Sequence, residues 1–229
     1  MLLPLRKNNA AFSYSKIYRI LFLFMIVFFV SCKKEGNTIP DIILLGNDTL
    51  SLQLNDTWTD TGFVAADNED GDISDRVVVT GTVNTTQVNW YPIEYSVTDN
   101  AGNQCVVKRN VCVRADSLQG NYRVNAIVTG TNEGNYTYNV TVLAQSEYNY
   151  LQISNFCDLG NTVKLRFSIQ GPQIIIPMQT LSGVSPDYEG NISGQGTYDG
   201  IEKKIVTIQY TLNYLNGGSD AGSTTFVRN

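Results

Sequence analysis

The sequence contains no histidine among its 229 residues. This absence excludes a Ser-His-Asp triad, a Cys-His pair and any zinc site that depends on an imidazole ligand. A pair of carboxylates or a lysine-assisted nucleophile could still support catalysis, but neither leaves a recognisable pattern in this chain. We therefore expect a protein that is not an enzyme.

Cysteine is also scarce, with four residues in the whole chain. Cys32 ends an N-terminal apolar run, which leaves Cys105, Cys112 and Cys157 for the body of the protein. Cys105 and Cys112 lie seven residues apart in one expected strand, so they would be about 23 Å apart on opposite faces, beyond the reach of a disulfide. The sequence predicts free thiols.

No apolar run is long enough to cross a membrane as a helix. The run Ile20–Val30 has eleven residues and as a helix would cover about 16 Å of a hydrocarbon layer about 30 Å thick. Four basic residues precede it, and no acidic residue occurs before Glu35. This order is typical of a secretory signal, which we assign to residues 1–31.

The residues Phe29-Val30-Ser31-Cys32 resemble a bacterial lipobox, although leucine is usual where Phe29 stands. The resemblance implies cleavage before Cys32, a palmitate-type lipid anchor on that cysteine and a short tether over residues 32–37. It also implies an exported, outer-membrane lipoprotein that faces the periplasm or the cell surface. An ordinary signal with a chance cysteine is the alternative. Each buried methylene contributes about 0.8 kcal/mol, so several acyl chains would hold the protein to a bilayer.

Basic residues are few once the signal is set aside. Removing residues 1–31 takes away four basic and no acidic residues, which leaves twelve basic against 21 acidic residues, a net charge of −9. Binding to nucleic acid needs a basic face that neutralises phosphates. The charge balance therefore argues against nucleic acid as a partner.

Helical periodicity is missing after Gly36, where apolar residues alternate at period two and turn clusters recur about every ten residues. This pattern predicts an all-β protein. A polar break at Arg114–Gly120 separates two series of strands. We place the first domain at residues 38–115 and the second at 116–229.

The first domain has about seven short expected strands, which suggests a two-sheet sandwich. Its segments "DTWTDTGFVAADNEDGDISDRVVVTG", "YPIEYSVTDNAGN" and "RNVCV" resemble the Ig-like repeat of bacterial surface proteins, which is similar to cadherin-like and hyalin-repeat modules. The resemblance implies an Ig-like β-sandwich with a role in spacing, presentation or adhesion.

An acidic loop in this domain is a candidate calcium site. The segment "DNEDGD" does not fit an EF-hand, because Ala66 would take the first ligand position. In an Ig-type sandwich, however, two loops at one pole would gather five carboxylates that a hard cation could bridge. These candidate ligands are Asp67, Glu69, Asp70, Asp72 and Asp99. The alternative is that Asp67 and Asp99 accept backbone N–H groups in their turns.

Trp90 is a candidate partner-binding residue. Strand alternation places Tyr91, Ile93 and Tyr95 inward and Trp90 outward, where it could stack on a sugar or bury against a partner. It could equally cover a strand edge or pack on the second domain. Trp58 is expected in the core of the sandwich.

The second domain has eight expected strands joined by short turns, which favours an antiparallel meander closed into a barrel, with an open sandwich as the alternative. The segments "LQGNYRV", "YLQISNF" and "ISGQGTY" resemble lipocalin-like domains that end many such lipoproteins. True lipocalins carry Gly-x-Trp at the first strand, whereas this chain has Gly120-Asn121-Tyr122. The departure puts a ligand-carrying role in doubt.

Tyrosines concentrate in the second domain. Residues at i and i+2 share one face, so Tyr136 with Tyr138, and Tyr148 with Tyr150, could form aromatic platforms for a glycan. They could equally line the barrel interior. Two short segments, "DTL" and "DSL", resemble an O-glycosylation signal of this bacterial group, and the candidate acceptors are Thr49 and Ser117.

Three functions follow from these features. The favoured one is a non-catalytic surface lipoprotein whose Ig-like module presents the second domain to a glycan or a surface protein. A carrier of a small apolar ligand is the alternative, and it predicts a cavity lined by inward residues such as Val140, Val142, Leu165, Phe167 and Ile208. An enzyme would need two carboxylates that converge in a cleft, for instance among Asp187, Glu189 and Asp199.

Overall fold

A computed structural model describes residues 38–181 and 184–229 of the chain, and strands dominate both ranges. The signal and tether assignments, including Cys32, lie outside these residues. No helix within the described ranges is long and apolar enough to cross a membrane. The N-terminal strands are β1 Asp41–Leu44, β2 Thr49–Gln53, β3 Phe63–Asp67, β4 Gly71–Asp72, β5 Val78–Thr80, β6 Asn89–Thr98 and β7 Gln104–Arg114.

These strands form two sheets, which we call the N-terminal sandwich. One sheet has the order β1-β3-β4, and the other has the order β2-β7-β6-β5, in which β2 runs parallel to β7. The alternation predicted for β6 is confirmed, because Ile93, Tyr95 and Val97 are buried while Trp90 is exposed. Trp58 packs against the same core, as predicted.

No strand forms at residues 81–88, between β5 and β6. The side chain of Asn84 accepts hydrogen bonds from the backbone N–H of Thr86 at 3.1 Å and from its hydroxyl at 2.7 Å, which fixes a turn. The next strand, β6, begins only at Asn89. Residues 85–88 therefore leave the sandwich and reach the second half of the chain.

Arg109 is the largest fully buried side chain of the described residues. Its guanidinium is ion-paired with Asp60 and donates hydrogen bonds to the carbonyl oxygens of Leu45 at 2.7 Å and Gly62 at 3.2 Å. The hydroxyl of Tyr95 donates to the same aspartate at 2.7 Å. This network compensates a charge that burial alone would penalise heavily, and it fixes β7 to the opposite sheet.

The second half of the chain is a closed antiparallel barrel of eight strands in the order β10-β11-β12-β13-β14-β15-β8-β9, so the barrel is confirmed over the open sandwich. Three 3₁₀ turns, at Asp116–Leu118, Phe156–Asp158 and Pro186–Tyr188, adjoin the barrel. Its strands are β8 Gly120–Gly130, β9 Gly134–Ala144, β10 Tyr150–Ser154, β11 Lys164–Gln170, β12 Gln173–Leu181, β13 Gly190–Asp199, β14 Lys204–Tyr214 and β15 Ser219–Arg228.

One end of the barrel packs against the N-terminal sandwich. The Tyr198 hydroxyl donates to the carbonyl oxygen of Gly171 at 2.8 Å and accepts the backbone N–H of Val88 at 3.0 Å. The Ala115 N–H donates to the carbonyl oxygen of Tyr148 at 2.8 Å. Buried residues of the sandwich and the barrel also belong to one continuous apolar cluster, so the two halves share a core at this junction.

The first described residue and the free end of the barrel lie at opposite ends of the protein. Thr38 lies at the pole of the sandwich away from the barrel, where its carbonyl oxygen accepts a hydrogen bond from Asn103 at 3.1 Å. Strand β7 crosses from that pole to the junction. Laid end to end, an eleven-residue strand and a tilted barrel cover roughly 60 Å.

Candidate ligand-binding cavity

The barrel end opposite the sandwich contains a cavity of about 220 Å³. Three of its lining residues, Tyr136, Asp158 and Tyr188, are exposed, so the cavity opens to solvent. The lining residues are Ala126, Val128, Asn132, Tyr136, Tyr138, Cys157, Asp158, Leu159, Tyr188, Tyr210, Leu212, Tyr214 and Asp220.

Strand alternation explains why the tyrosines face this space. On β14, Tyr210, Leu212 and Tyr214 are buried while the residues between them are exposed. On β9, Tyr138 is buried and Tyr136 lies two residues nearer the open end on the same face. Each pair spaced by two residues points to the barrel interior, which gives the cavity aromatic walls.

A buried carboxylate lines the cavity. Asp220 is 4% exposed and accepts hydrogen bonds from the Tyr214 hydroxyl at 2.5 Å, from the Asn132 backbone N–H at 2.8 Å and from the Asn132 side chain at 3.1 Å. Burial acts to raise the pKa of Asp220, but these hydrogen bonds outweigh it and hold the pKa below its usual value of 3.8. Asp220 is therefore ionised at neutral pH.

The hydroxyl of Tyr138 is buried at the cavity wall. The backbone N–H of Cys157 approaches this hydroxyl and lowers its pKa, but no atom of the described residues meets the geometry of a hydrogen bond with it. Tyr138 as a whole is 6% exposed, and burial raises the pKa of its hydroxyl well above the usual range. A buried polar group without a partner costs free energy unless something satisfies it.

Part of the rim has an unusual backbone. Asn155, Cys157 and Asp158 all adopt left-handed conformations, with φ of 61°, 59° and 59°. The Asn155 side chain holds the turn by donating to the carbonyl oxygen of Asn139 at 2.8 Å and accepting the N–H of Gly160 at 2.8 Å. Such conformations cost roughly 1–3 kcal/mol each for residues other than glycine. The turn places Cys157 against Tyr210, and burial raises the pKa of this thiol to about 12.

The cavity differs from the one that the carrier hypothesis predicts. The predicted lining residues are each at most 2% exposed and pack together in the barrel core, and none of them lines the cavity at the barrel end. The cavity lies at the barrel end, where five tyrosines line it together with four aliphatic residues. The residues that were predicted to line a ligand cavity, and that instead fill the barrel core, are Val140, Val142, Leu165, Phe167 and Ile208.

The structure separates the two predicted tyrosine platforms. Tyr136 and Tyr138 line the cavity, so they face inward rather than forming an outer platform. Tyr148 precedes β10 and contacts Trp90 edge to face at 5.9 Å between ring centroids. Tyr150 lies outside the barrel beneath the guanidinium of Arg166, 4.1 Å from the ring centroid. Trp90, which is 42% exposed, therefore packs on the barrel at the junction.

The acidic loops do meet at one pole of the sandwich, but as a hydrogen-bonded pair. Asp70 accepts hydrogen bonds from the backbone and side chain of Asn100, each at 2.7 Å. Asp67 accepts the N–H groups of Glu69 and Asp70, which holds its pKa below the usual value.

Two of the other three candidate ligands, Asp72 and Asp99, accept backbone hydrogen bonds in the same way. Asp72 accepts the N–H of Ser74 at 3.0 Å, and Asp99 accepts that of Asn103 at 2.7 Å. Within residues 38–181 and 184–229, no group of three or more Cys, Asp or Glu residues is arranged to hold a metal ion. The turns thus use these carboxylates, and the structure does not gather them into the predicted calcium site.

The two candidate O-glycosylation acceptors differ in exposure. Thr49 is exposed at the start of β2. The hydroxyl of Ser117 is buried and has no hydrogen-bond partner among the described residues, so it is not accessible for glycosylation in the folded protein. Glu189 precedes β13 and Asp199 ends it, about 30 Å apart along the strand. Asp199 therefore does not converge with Asp187 and Glu189, which precede the other end of β13. Cys105, Cys112 and Cys157 are free thiols, as predicted.

Asp220 and Asn132 were not predicted from the sequence. Asn132 lies in the turn segment "TGTNEG", and Asp220 is the second residue of β15, where the polar segment "NGGSD" looks like an ordinary surface loop. Pairing of β15 with β8 brings them together across 88 residues of chain. The inward tyrosines of β14 could have been found, because Tyr210 and Tyr214 continue the alternation that begins at Ile208.

Comparison with known proteins adds an observation about the sandwich. Residues 42–113 match the family described as bacterial surface protein, Ig-like domain. The sandwich is an Ig-like domain. The match covers about a third of the chain, so it assigns this domain and not the barrel. It indicates a bacterial protein associated with the cell surface or envelope.

Two solved structures are similar at low identity. A lipoprotein of Bacteroides thetaiotaomicron is 17% identical, with 82% of this chain and 100% of that chain covered and a TM-score of 0.34. A structure of a carbohydrate-binding module in complex with GlcNAc and of INT domains from Clostridium perfringens ZmpB is 12% identical, with 82% and 43% covered and a TM-score of 0.28. The comparison with curated proteins gave no match.

Proposed function

We propose that this chain is a non-catalytic lipoprotein of the outer membrane that binds a glycan at the free end of its barrel, with the Ig-like domain as a rigid spacer. The observation that carries the proposal is the tyrosine-walled cavity of about 220 Å³, which lies at the barrel end remote from the Ig-like domain.

The spatial order of the chain supports presentation. An anchor at Cys32 would lie only six residues before Thr38, and Thr38 lies at the far pole of the Ig-like domain. The shared core at the junction resists bending between the domains. The cavity would thus point away from the membrane, roughly 60 Å from Thr38.

The chemistry of the walls suits a sugar unit. Tyrosine combines an apolar ring, which covers the C–H face of a sugar, with a hydroxyl that can exchange hydrogen bonds with sugar hydroxyls. A cavity of about 150 Å³ holds benzene, so this one admits a group of roughly six to ten non-hydrogen atoms. That size corresponds to one terminal unit of a longer chain.

A glycan array tests the proposal with a matched pair of variants. Ala126 lines the cavity, whereas the adjacent Asn125 is exposed on the outside of the barrel. Ala126→Phe should fill the cavity and abolish binding to the glycans that the wild type recognises, while Asn125→Phe should retain it. Thermal unfolding of both variants checks that they are folded. Absence of glycan binding by the wild type, or equal binding by the two variants, would contradict the proposal.

A further inference from the structure

The cavity has a strongly one-sided charge. Two carboxylates, Asp158 and Asp220, line it, and no lysine or arginine occurs among its described lining residues. Asp220 forms no ion pair within the described part of the chain, although three hydrogen bonds satisfy part of its capacity. A buried charge of this kind is poorly screened, and its field acts on whatever enters the cavity.

The charge also narrows the class of ligand. An anionic group would be repelled by both carboxylates. A wholly apolar ligand would displace water from the cavity and leave Asp220 without solvent or a counter-charge, which is costly. A cation would gain from the field and would restore charge balance around Asp220.

The aromatic walls favour a particular kind of cation. Five tyrosines line the cavity, and the rings of Tyr188 and Tyr214 meet edge to face at 6.3 Å between centroids. An ammonium group within about 6 Å of a ring centroid is attracted by the negative face of the ring. Tyr214 also donates to Asp220, so the aromatic wall and the carboxylate adjoin.

From these observations we infer that the cavity binds an ammonium-bearing group, held between the tyrosine rings and the carboxylate of Asp220. This inference rests on the proposed function and specifies the ligand at the same site. The buried hydroxyl of Tyr138, which lacks a hydrogen-bond partner, is an independent sign of a ligand, because a polar substituent of the ligand would satisfy it.

Two sources could supply the ammonium group: an amino sugar with a free amine, or a small free cation of the choline type. Isothermal titration of the purified chain with D-glucosamine, N-acetyl-D-glucosamine and choline separates them. N-acetylation removes the charge while keeping the sugar ring, so this pair isolates the ammonium group. We expect glucosamine, choline or both to bind at least tenfold more tightly than N-acetylglucosamine.

Two variants test whether the binding measured by calorimetry takes place in the cavity. Asp220→Asn should weaken binding of the cation at least tenfold, and Tyr188→Leu, at the exposed rim, should weaken it severalfold with little effect on folding. Tyr150→Leu, outside the barrel, is the control and should bind like the wild type. If Asp220→Asn does not fold, Tyr188→Leu and the comparison of glucosamine with N-acetylglucosamine still decide the matter, because neither depends on a change at Asp220.

The outcomes distinguish this inference from the proposed function. Binding of glucosamine alone supports it with an amino sugar as the source, and binding of choline supports it with a free organic cation. N-acetylglucosamine binding as tightly as glucosamine would overturn the inference and leave glycan binding in place. If none of the three probes binds, the inference is overturned, and the glycan array alone decides the proposed function.

Discussion

Gly222 on β15 lies directly beneath the ring of Tyr210 on β14. A Cβ added at position 222 would lie 2.1 Å from the nearest ring atom of Tyr210 and 2.5 Å from its hydroxyl oxygen. No side chain can occupy that space while the ring stays in place. The glycine therefore sets the position of one wall of the cavity.

We expect Gly222→Ala to displace the ring of Tyr210 and reduce the volume of the cavity. The cost should be about 1–3 kcal/mol of the free energy of unfolding, which is typical of overpacking. Ser223→Ala, at the neighbouring exposed position, should change stability by less than about 0.5 kcal/mol. Urea unfolding measures both, and equal stability of the two variants would show that Tyr210 is not held against Gly222.

The buried network of the Ig-like domain gives a second prediction. Arg109→Leu should destabilise the protein by about 3 kcal/mol or more, because it removes the positive charge that pairs with Asp60 and the donor to two carbonyl oxygens. The adjacent Lys108 forms an exposed ion pair with Glu94 at 3.2 Å. Lys108→Leu should therefore cost less than about 1 kcal/mol. Chemical denaturation compares the two, and a smaller loss for Arg109→Leu would contradict the role of the network.

The hydrogen bonds to Asp220 predict a pH dependence of stability. Its pKa is lowered in the folded state, so its contribution is fully present above the unfolded pKa of about 3.9 and is lost as the pH falls through the lower folded value. The stability gap between the wild type and Asp220→Asn should stay constant from pH 7 to pH 5 and narrow below about pH 4. Asp187→Asn, at an exposed carboxylate near the same barrel end, serves as the control. A gap that widens towards pH 3 would refute the assignment.

The close contact between Gly200 and Thr86 predicts that the unfolding of the two domains is coupled. A Cβ at this position would lie 1.9 Å from the carbonyl oxygen of Thr86 in the Ig-like domain. Gly200→Ala should therefore loosen the junction and separate the unfolding of the two domains into two transitions. Ile201→Ala, at the exposed neighbour, should keep the behaviour of the wild type. Calorimetry distinguishes the cases, and a single transition for Gly200→Ala would show that the contact does not couple the domains.

The sequence predicts the strands well because their alternation is local. The predicted number of eight barrel strands is correct, and so is the inward set of β6. Asp220 shows the limit of such reasoning, because its neighbours on the chain suggest an exposed turn. It becomes buried only when β15 pairs with β8, which is a contact between distant segments.

The described structure does not gather the acidic side chains into the predicted cluster, for a related reason. The sequence places carboxylates near one another, but the backbone of each turn decides whether they point at a common centre. Asp67 and Asp70 are already used by N–H groups and by Asn100. Composition alone cannot distinguish these two arrangements, since the same residue types serve both.

The central claim is that the barrel end binds the ligand, and NMR of the chain labelled with ¹³C at tyrosine tests it most directly. Spectra would be recorded with and without an equimolar mixture of glucosamine, N-acetylglucosamine, galactose and choline. The account predicts shifts confined to the cavity tyrosines, such as Tyr136, Tyr188 and Tyr214, with Tyr95 and Tyr150 unchanged as internal controls. Shifts at Tyr150 without shifts in the cavity, or no shifts at all, would contradict it.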